Sequence, residues 1–291
     1  MFTAINIFAA LLTLIPLLSA ALFGNTIRPK IQSLPTPLRL LLPSTLCLPY
    51  VLVSLAASSF HWGWFFMYAL LPIAVALILH QAQIVDPNQT SNWRDFLILL
   101  TVGLAVDLRW FEPAWPSHLT FFNKIILLDA GIYGFQFIRL LDGVGFDLRL
   151  RPGDARTGLR EWAFYTPISI TLGLSLGFLH FHLHWPHLLP LVGGYLFTFL
   201  FIAVPEELFF RGWLQNLLER RLGRLKSLLL TAALFGLSHF NKGALHFNWR
   251  YVLLAAIAGV FYGRAWRQNR RVGASAITHA TVDTLWSIWF I

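Results

Sequence analysis

Two adjacent carboxylates and an arginine, Glu206, Glu207 and Arg211, interrupt the apolar run from Leu188 to Phe210. Charged side chains are costly among lipid tails, so they usually face a protein interior or a wet cavity. Glu207 and Arg211 are four residues apart and share one helix face, whereas Glu206 points about 100° away. We predict that Arg211 holds Glu207 and leaves Glu206 for chemistry. The alternative is that both glutamates mark a helix end at the membrane surface.

Two further apolar segments carry ionisable residues. His239 ends the run Leu234-Phe235-Gly236-Leu237-Ser238, and His279 is followed four residues later by Asp283. That spacing puts His279 and Asp283 on one helix face. We expect Glu206, His239, His279 and Asp283 to meet in a single polar pocket that opens towards the cytoplasm.

This set of side chains suits hydrolysis. A partly buried glutamate can take a proton from water, and histidines can donate to a developing oxyanion or to a leaving amine. Each histidine could instead only bridge two helices by hydrogen bonding. Glu206, His239 and His279 could also hold a divalent ion such as zinc. The sequence has no HExxH motif, so three helices would have to assemble that site, and we favour no cofactor.

The composition identifies the chain as a membrane protein. Hydrophobic residues make up 57% of the 291 residues, and the mean hydropathy is +0.63. Only 12% of the residues are charged, against roughly a quarter in soluble proteins. Each spanning helix takes about 20 residues, so roughly ten such helices with short loops use up the chain. No large soluble domain is left over.

The apolar segments predict an all-α fold, a polytopic membrane bundle of about 8 to 10 transmembrane helices. The segment from Phe96 to Val106 is short for a span and could be re-entrant. The predicted spans are Phe2 to Phe23, Leu40 to Ser59, Trp64 to Ile84, Phe96 to Val106, Phe121 to Leu141, Trp162 to Leu179, Leu188 to Phe210, Ser227 to Phe240, Tyr251 to Trp266 and Ala274 to Ile291.

The formal charge of +9 could suggest a nucleic-acid partner. When alternate loops are assigned to opposite sides, however, all but four of the 22 Lys and Arg residues fall on one side. The positive-inside rule makes that side cytoplasmic and explains the charge, so we predict no nucleic-acid partner. The four exceptions are Arg109, Lys124, Lys242 and Arg250.

Several other residues bear on the organisation of the chain. Cys47 has no cysteine partner and is predicted to be a small core residue. Asp129 interrupts a predicted span, and we expect an arginine or hydroxyl of another helix to pair with it. The histidines that precede Leu188 fit an interfacial loop better than a metal site: they are His180, His182, His184 and His187. Two small-xxx-small spacings predict close helix contacts: Gly173 with Gly177, and Gly259 with Gly263.

In its three motifs the chain resembles the CAAX protease and bacteriocin-processing family, also called the Abi or CPBP family. The family pattern is Glu-Glu-xxx-Arg, then Phe-xxx-His, then His-xxx-Asn or Asp. Here these motifs are Glu206-Glu207-xxx-Arg211, Phe235-xxx-His239 and His279-xxx-Asp283. The resemblance covers residues 157–291, which we assign as a protease-like transmembrane catalytic domain. Residues 1–156 form an amino-terminal helical region of unknown role.

The resemblance implies a glutamate-type intramembrane endopeptidase. Glu206 would activate water with help from His239, while His279 and Asp283 would hold the oxyanion or order the pocket. Glu207 and Arg211 would brace the site. Asp283 stands where the prenyl-protease branch has asparagine, and a carboxylate donates to an oxyanion only when it is protonated. Prenylated substrates are therefore not assumed.

The partners implied are the lipid bilayer and a membrane-anchored protein or peptide substrate. The expected location is a bacterial cytoplasmic membrane, as an integral multi-pass protein. Two alternatives stay open. One is a metal-dependent version of the protease, and the other is a non-enzymatic immunity or transport protein that uses the same polar pocket.

Overall fold

A computed structural model describes residues 3–182, 185–241 and 247–290. These residues form ten helices, and the described chain contains no strand beyond one isolated antiparallel bridge between Phe181 and Phe290. The predicted all-α helical bundle is therefore confirmed. The helices belong to two compact units, residues 1–142 and 143–291. The functional division at residues 156 and 157 stays a prediction.

The amino-terminal unit contains five helices. The second contains a 3₁₀ stretch at Leu42–Cys47, and the fifth ends in π-helical turns at Tyr133–Ile138. Proline rings inside the helices remove backbone donors, which neighbouring helices accommodate in membrane bundles. The bounds are α1 Ala4–Gln32, α2 Thr36–Ala56, α3 Trp62–Val85, α4 Trp93–Asp107 and α5 Ser117–Ile138.

A buried arginine ties the ends of three of these helices together. Arg139 follows α5 and is inaccessible to solvent. Its guanidinium donates from Nε to Asp95 at 2.8 Å and from Nη2 to Asp86 at 2.6 Å. Asp95 also accepts the backbone N–H of Asn92 and so caps α4. Charge-assisted hydrogen bonds of this kind are the strong ones, so the network fixes the loop between α3 and α4.

The carboxy-terminal unit contains the other five helices. Their bounds are α6 Pro152–Ser175, α7 Leu188–Leu222, α8 Arg224–Leu237, α9 Trp249–Asn269 and α10 Val272–Trp289. Gly223 separates α7 from α8 with a φ of 73°, a conformation that glycine adopts without strain. Helices α9 and α10 meet at Arg270, which is left-handed.

Helix α7 is not regular where it carries the two glutamates. Widened π-helical turns at Phe199–Ala203 and Leu208–Gln215 flank a short α-helical segment, Val204–Glu207. Pro205 lies in that segment and cannot donate to the preceding turn. The wider turn accommodates its ring inside a continuous helix. π-Helical turns are rare and are often found at functional sites.

The loop before α6 packs on the start of α10. Gly145 has a φ of 73°, and an added Cβ would lie 1.9 Å from the Arg270 carbonyl oxygen. Only glycine fits there. Arg271 donates from Nε to Asp154 at 2.8 Å and from Nη1 to Asp147 at 3.1 Å. Burial alone would raise the pKa of Asp147, but hydrogen bonds from Arg149 and Arg271 outweigh it and lower the pKa to about 2.

Five helices are long and apolar enough to cross a membrane by length and composition: α1, α2, α3, α5 and α7. Helix α4 contains 15 residues. At about 1.5 Å per residue it is shorter than the hydrocarbon core of a bilayer, which is about 30 Å thick. The segment predicted from Phe96 to Val106 therefore forms a helix that is too short to cross alone.

Three smaller predictions are tested by burial. Cys47 is a buried free thiol, as expected of a core residue. Asp129 is 1% exposed, but neither carboxylate oxygen has a hydrogen-bond partner among the described residues, so the expected pairing is wrong. Gly177 lies beyond the end of α6, and among the described residues an added Cβ there would meet no atom within 4 Å, so the predicted close helix packing at Gly173 and Gly177 is wrong as well. Gly259 does meet α8, since an added Cβ would lie 3.0 Å from Ala232.

The arginine network predicts a large effect for a small change. Replacing Arg139 with lysine removes the planar fork and leaves at least one buried aspartate without its donor. We expect a loss of about 3 kcal/mol in the free energy of unfolding, as for other broken buried pairs. Thermal unfolding in detergent measures it. Arg109→Lys is the matched control, because that arginine is 69% exposed and 4.0 Å from Glu112, and a midpoint shift of similar size there would contradict the assignment.

The Asp147 carboxyl predicts an acid-sensitive loop. Its folded pKa of about 2 lies below the ordinary value of 3.8, so its stabilisation is complete above about pH 5 and is lost as the pH falls towards 2. We expect a contribution on the order of 1 kcal/mol after allowance for solvent screening. Unfolding midpoints between pH 6 and pH 2 should fall less steeply in Asp147→Asn. Asp142→Asn, at a side chain that is 74% exposed, should keep the wild-type slope.

Candidate active site

The four residues predicted to converge do line one cavity. It has a volume of about 230 Å³ and lies within the carboxy-terminal unit. Glu206 reaches it from α7, and His279 and Asp283 reach it from α10. His239 was predicted to lie on a helix, but it lies in the turn just after α8. The end of a helix frees its backbone from regular geometry, so the ring can turn into the cavity.

Glu207 faces away from this cavity and is completely buried. Its Oε1 atom accepts from Arg211 Nη1 at 3.1 Å, as the spacing of four residues predicted. Arg211 is buried too, donates from Nη2 to the Gly259 carbonyl at 3.1 Å, and has its guanidinium carbon 4.5 Å from the ring centre of Phe235. A buried arginine needs both charge and hydrogen-bond partners. The Glu207–Arg211 pair therefore makes one contact within α7 and, through Arg211, a second contact with α9.

His279 connects this buried pair to the cavity. Its Nδ1 atom lies 2.9 Å from Glu207 Oε1, and its Nε2 atom lies 3.3 Å from Asp283 Oδ2 and 3.9 Å from Glu206 Oε2. The ring stacks on Tyr262, with centroids 4.6 Å apart. Carboxylates accept hydrogen bonds, so a ring that faces carboxylates through both nitrogens acts as a donor at both.

His239 is oriented by the backbone of its own helix. Its Nδ1 atom lies 2.8 Å from the Phe235 carbonyl oxygen, and its ring centre lies 5.0 Å from that of Tyr251. A carbonyl only accepts, so Nδ1 carries a proton and Nε2 is the acceptor in the neutral ring. The Phe-xxx-His spacing places the Phe235 carbonyl four residues before His239, where it accepts from Nδ1 and so fixes the tautomer of the His239 ring.

Besides Phe235 of the Phe-xxx-His motif, the cavity wall contains aromatic side chains that the motifs did not single out. The phenol rings of Tyr165 and Tyr262 are buried, and Tyr165 donates to the Leu254 carbonyl at 3.1 Å. Their helices were predicted, but nothing in the local sequence separates a wall tyrosine from a core tyrosine. The aromatic members of the wall are Tyr165, Phe235, Tyr251, Tyr262 and Trp286.

The residues that line the cavity lie at different distances from the basic loops of their unit. His239 is 15 residues beyond Arg224, which corresponds to about 22 Å along a regular helix. Tyr251 lies near the start of α9, whereas Arg267 and Arg270 lie at its other end. Tyr262 and His279, by contrast, lie in the halves of α9 and α10 that are next to Arg270 and Arg271. The lining residues thus occupy both halves of these helices, and the expected opening towards the basic, cytoplasmic side stays a prediction.

A divalent ion would need three ligands with available lone pairs. Among the residues that the structure describes, no group of three His, Cys, Asp or Glu side chains has a metal-holding arrangement. Both nitrogens of His279 face carboxylates. A metal-bound imidazole keeps one nitrogen for the metal. Glu206, His239 and His279 therefore do not fit a zinc site as they stand. His180, His182 and His187 are among these described residues and form no such group, whereas His184 lies outside them.

The fold and this site define an integral membrane protein with a polar, hydrolase-like cavity between its helices. Residues 187–285 match the family model of the type II CAAX prenyl endopeptidase Rce1-like proteins. The matched segment contains all three motifs, so the resemblance to the CAAX protease family that the sequence predicted is confirmed over these residues. The match supports a CAAX-type intramembrane endopeptidase as the general class. Searches of curated proteins and of solved structures returned no match.

The two glutamates should respond differently to loss of charge. Glu207→Gln leaves Arg211 and His279 buried beside a neutral side chain, so we expect a loss of about 3 kcal/mol in the free energy of unfolding. The side chain of Glu206 is 26% exposed at the cavity. Glu206→Gln should therefore keep a wild-type midpoint in detergent. Equal midpoints for the two variants would contradict the bracing role of Glu207.

Proposed function

We propose that the protein hydrolyses a peptide bond of a membrane-associated protein or peptide, with a water molecule activated by Glu206. The observation that carries this proposal is the different setting of the two neighbouring glutamates. Glu207 is buried and bound to Arg211 and His279, whereas Glu206 borders a cavity that also contains a histidine acceptor. A general base must reach water and substrate, and only Glu206 meets that condition.

His239 supports Glu206 in this proposal. Its Nε2 atom is the acceptor of the neutral ring, so it can hold the second hydrogen of the attacking water. The water oxygen attacks the carbonyl carbon as Glu206 takes one proton. As the carbon–nitrogen bond breaks, that proton passes to the leaving amine. General acid–base catalysis of this kind contributes typically 10²–10⁴-fold to a rate.

His279 and Asp283 order the pocket in this mechanism. Asp283 Oδ2 lies 3.3 Å from His279 Nε2. At this distance the carboxylate oxygen accepts a hydrogen bond from the ring N–H. An oxyanion needs donors, and a carboxylate is not one unless it is protonated. We therefore assign Asp283 to the orientation of His279. The position of Asp283 gives no reason to limit substrates to prenylated proteins.

The cavity and the family match suggest the substrate class. The matched proteins are described as CAAX prenyl endopeptidases, and a CAAX sequence is a carboxy-terminal cysteine, two aliphatic residues and a final residue. An aromatic-walled cavity of about 230 Å³ accepts an apolar side chain next to the scissile bond. The proposed substrates are apolar, membrane-anchored peptides, cleaved within a cell's cytoplasmic membrane and without a metal cofactor.

Glu206→Gln should abolish cleavage. The amide cannot take a proton, so the rate should fall by at least about 100-fold while the protein remains folded. The measurement uses protein reconstituted in vesicles with farnesylated and unmodified CAAX peptides, followed by mass spectrometry of the products. Undiminished cleavage by the variant would refute the assignment.

A matched control is Glu112→Gln, because the side chain of Glu112 is 23% exposed, much like that of Glu206, and lies outside the matched segment of residues 187–285. This variant should cleave at the wild-type rate. Loss of wild-type cleavage in EDTA with recovery on added zinc would favour the metal-dependent alternative. A wild-type protein that cleaves no membrane-anchored peptide would favour the immunity or transport alternative.

A further inference from the structure

A line of polar side chains runs along α7 from the site towards the basic end of the unit. Its members are four residues apart: Glu207, Arg211, Gln215 and Glu219. The first three are 0% exposed, and the side chain of Glu219 is 8% exposed. Arg211 and Gln215 both donate to α9, to the carbonyls of Gly259 and Gly263. We call these four residues the polar column.

The column has an excess of unsatisfied polar atoms. Among the described residues, no hydrogen-bond partner exists for Glu207 Oε2, Arg211 Nε or Gln215 Oε1. A buried polar atom without a partner costs about 1–3 kcal/mol. Such atoms are usually satisfied by ordered water.

Helix α8 adds a hydroxyl to the same line. Leu228 and Gln215 both lie against Gly263, where an added Cβ would be 2.4 and 2.5 Å from them. Phe235 lies under the guanidinium of Arg211. Thr231 falls between these two residues on the same helix face, is completely buried, and has an unsatisfied Oγ1 atom. Its hydroxyl therefore faces the column between Arg211 and Gln215.

The far end of the column reaches a cluster of arginines. Glu219 lies 3.1 Å from Arg270, 3.6 Å from Arg224 and 3.7 Å from Arg267. Arg224 is 80% exposed, so this end of the unit is open to its surroundings. From Glu207 to Glu219 is twelve residues, or about 18 Å along a regular helix. The column thus spans the distance between the cavity and the basic surface.

From these observations we infer that the polar column binds a file of ordered waters that connects the site with the basic surface. This inference rests on the proposed function for its purpose, because hydrolysis consumes one water per turnover. The side chains of Glu206 and Asp283 are 26% and 37% exposed at the cavity, and under the proposed function a bound substrate would cover them. The column supplies water through Glu207 and His279 by a route that the substrate does not occupy.

Radiolytic labelling tests the waters without any activity. Hydroxyl radicals formed in place from bound water oxidise the side chains that touch it, even in a protein interior. Leu228 is the reporter, and Leu179 is the control because it is similarly buried in the same unit but packs on Gly173 of α6. We expect oxidation of Leu228 that falls to the level of Leu179 in Gln215→Leu and in the isosteric Thr231→Val. Equal labelling of both leucines in the wild type would overturn the inference.

The activity arm separates water supply from helix packing. Gln215→Leu should lower kcat by about tenfold, with KM unchanged and with a larger solvent deuterium isotope effect. Thr231→Val should act in the same direction with an unchanged unfolding midpoint. A purely structural glutamine would change the midpoint and leave the isotope effect of the folded enzyme unaltered. If the wild type cleaves nothing, the proposed function fails, and the labelling result alone decides whether the file of waters exists.

Discussion

A charge that is buried between membrane helices must find its partners inside the protein, and in the carboxy-terminal unit this requirement fixes the site. Glu207, Arg211 and His279 meet with no exposure of the first two side chains. Leaving any one of them unpaired would cost several kcal/mol. The three can be paired only when α7, α9 and α10 are in one arrangement. The same arrangement puts Glu206 and Asp283 at the cavity.

At two other places in the chain, an arginine likewise binds two carboxylates from different parts of its unit. Arg139 joins Asp86 and Asp95 in the amino-terminal unit, and Arg271 joins Asp147 and Asp154 in the carboxy-terminal unit. In each case one of the aspartates also accepts a backbone N–H at the start of a helix. A planar guanidinium offers five donors, so it can bind two carboxylates and backbone carbonyls together. In each unit the arginine and its aspartates thus cap the start of a helix, where backbone N–H groups would otherwise lack partners.

Local spacing was enough to predict the contacts that lie within one helix. Glu207 with Arg211 and His279 with Asp283 follow from residues four apart, because a helix places them on one face. The contact between His279 and Glu207 depends on how two helices pack, and no local pattern encodes it. The π-helical turns of α7 and the position of His239 beyond α8 were missed for the same reason. The sequence did not single out Gln215 of α7 or Thr231 of α8. Both are buried because α7, α8 and α9 pack together, and no local pattern predicts that packing.

The adjacency of Glu206 and Glu207 explains how one short segment can be both stable and reactive. Successive residues of a helix point about 100° apart, so the two carboxylates cannot share one environment. Packing of α7 against α9 and α10 buries Glu207 completely and pairs it with Arg211 and His279. These contacts stabilise the segment. Glu206 is then held at the cavity by a backbone that its neighbour has already fixed. Because the side chains of Glu206 and Asp283 are the partly exposed ones at the cavity, the proposed mechanism would bring the substrate to Glu206 while Glu207 and Arg211 stay out of contact with it.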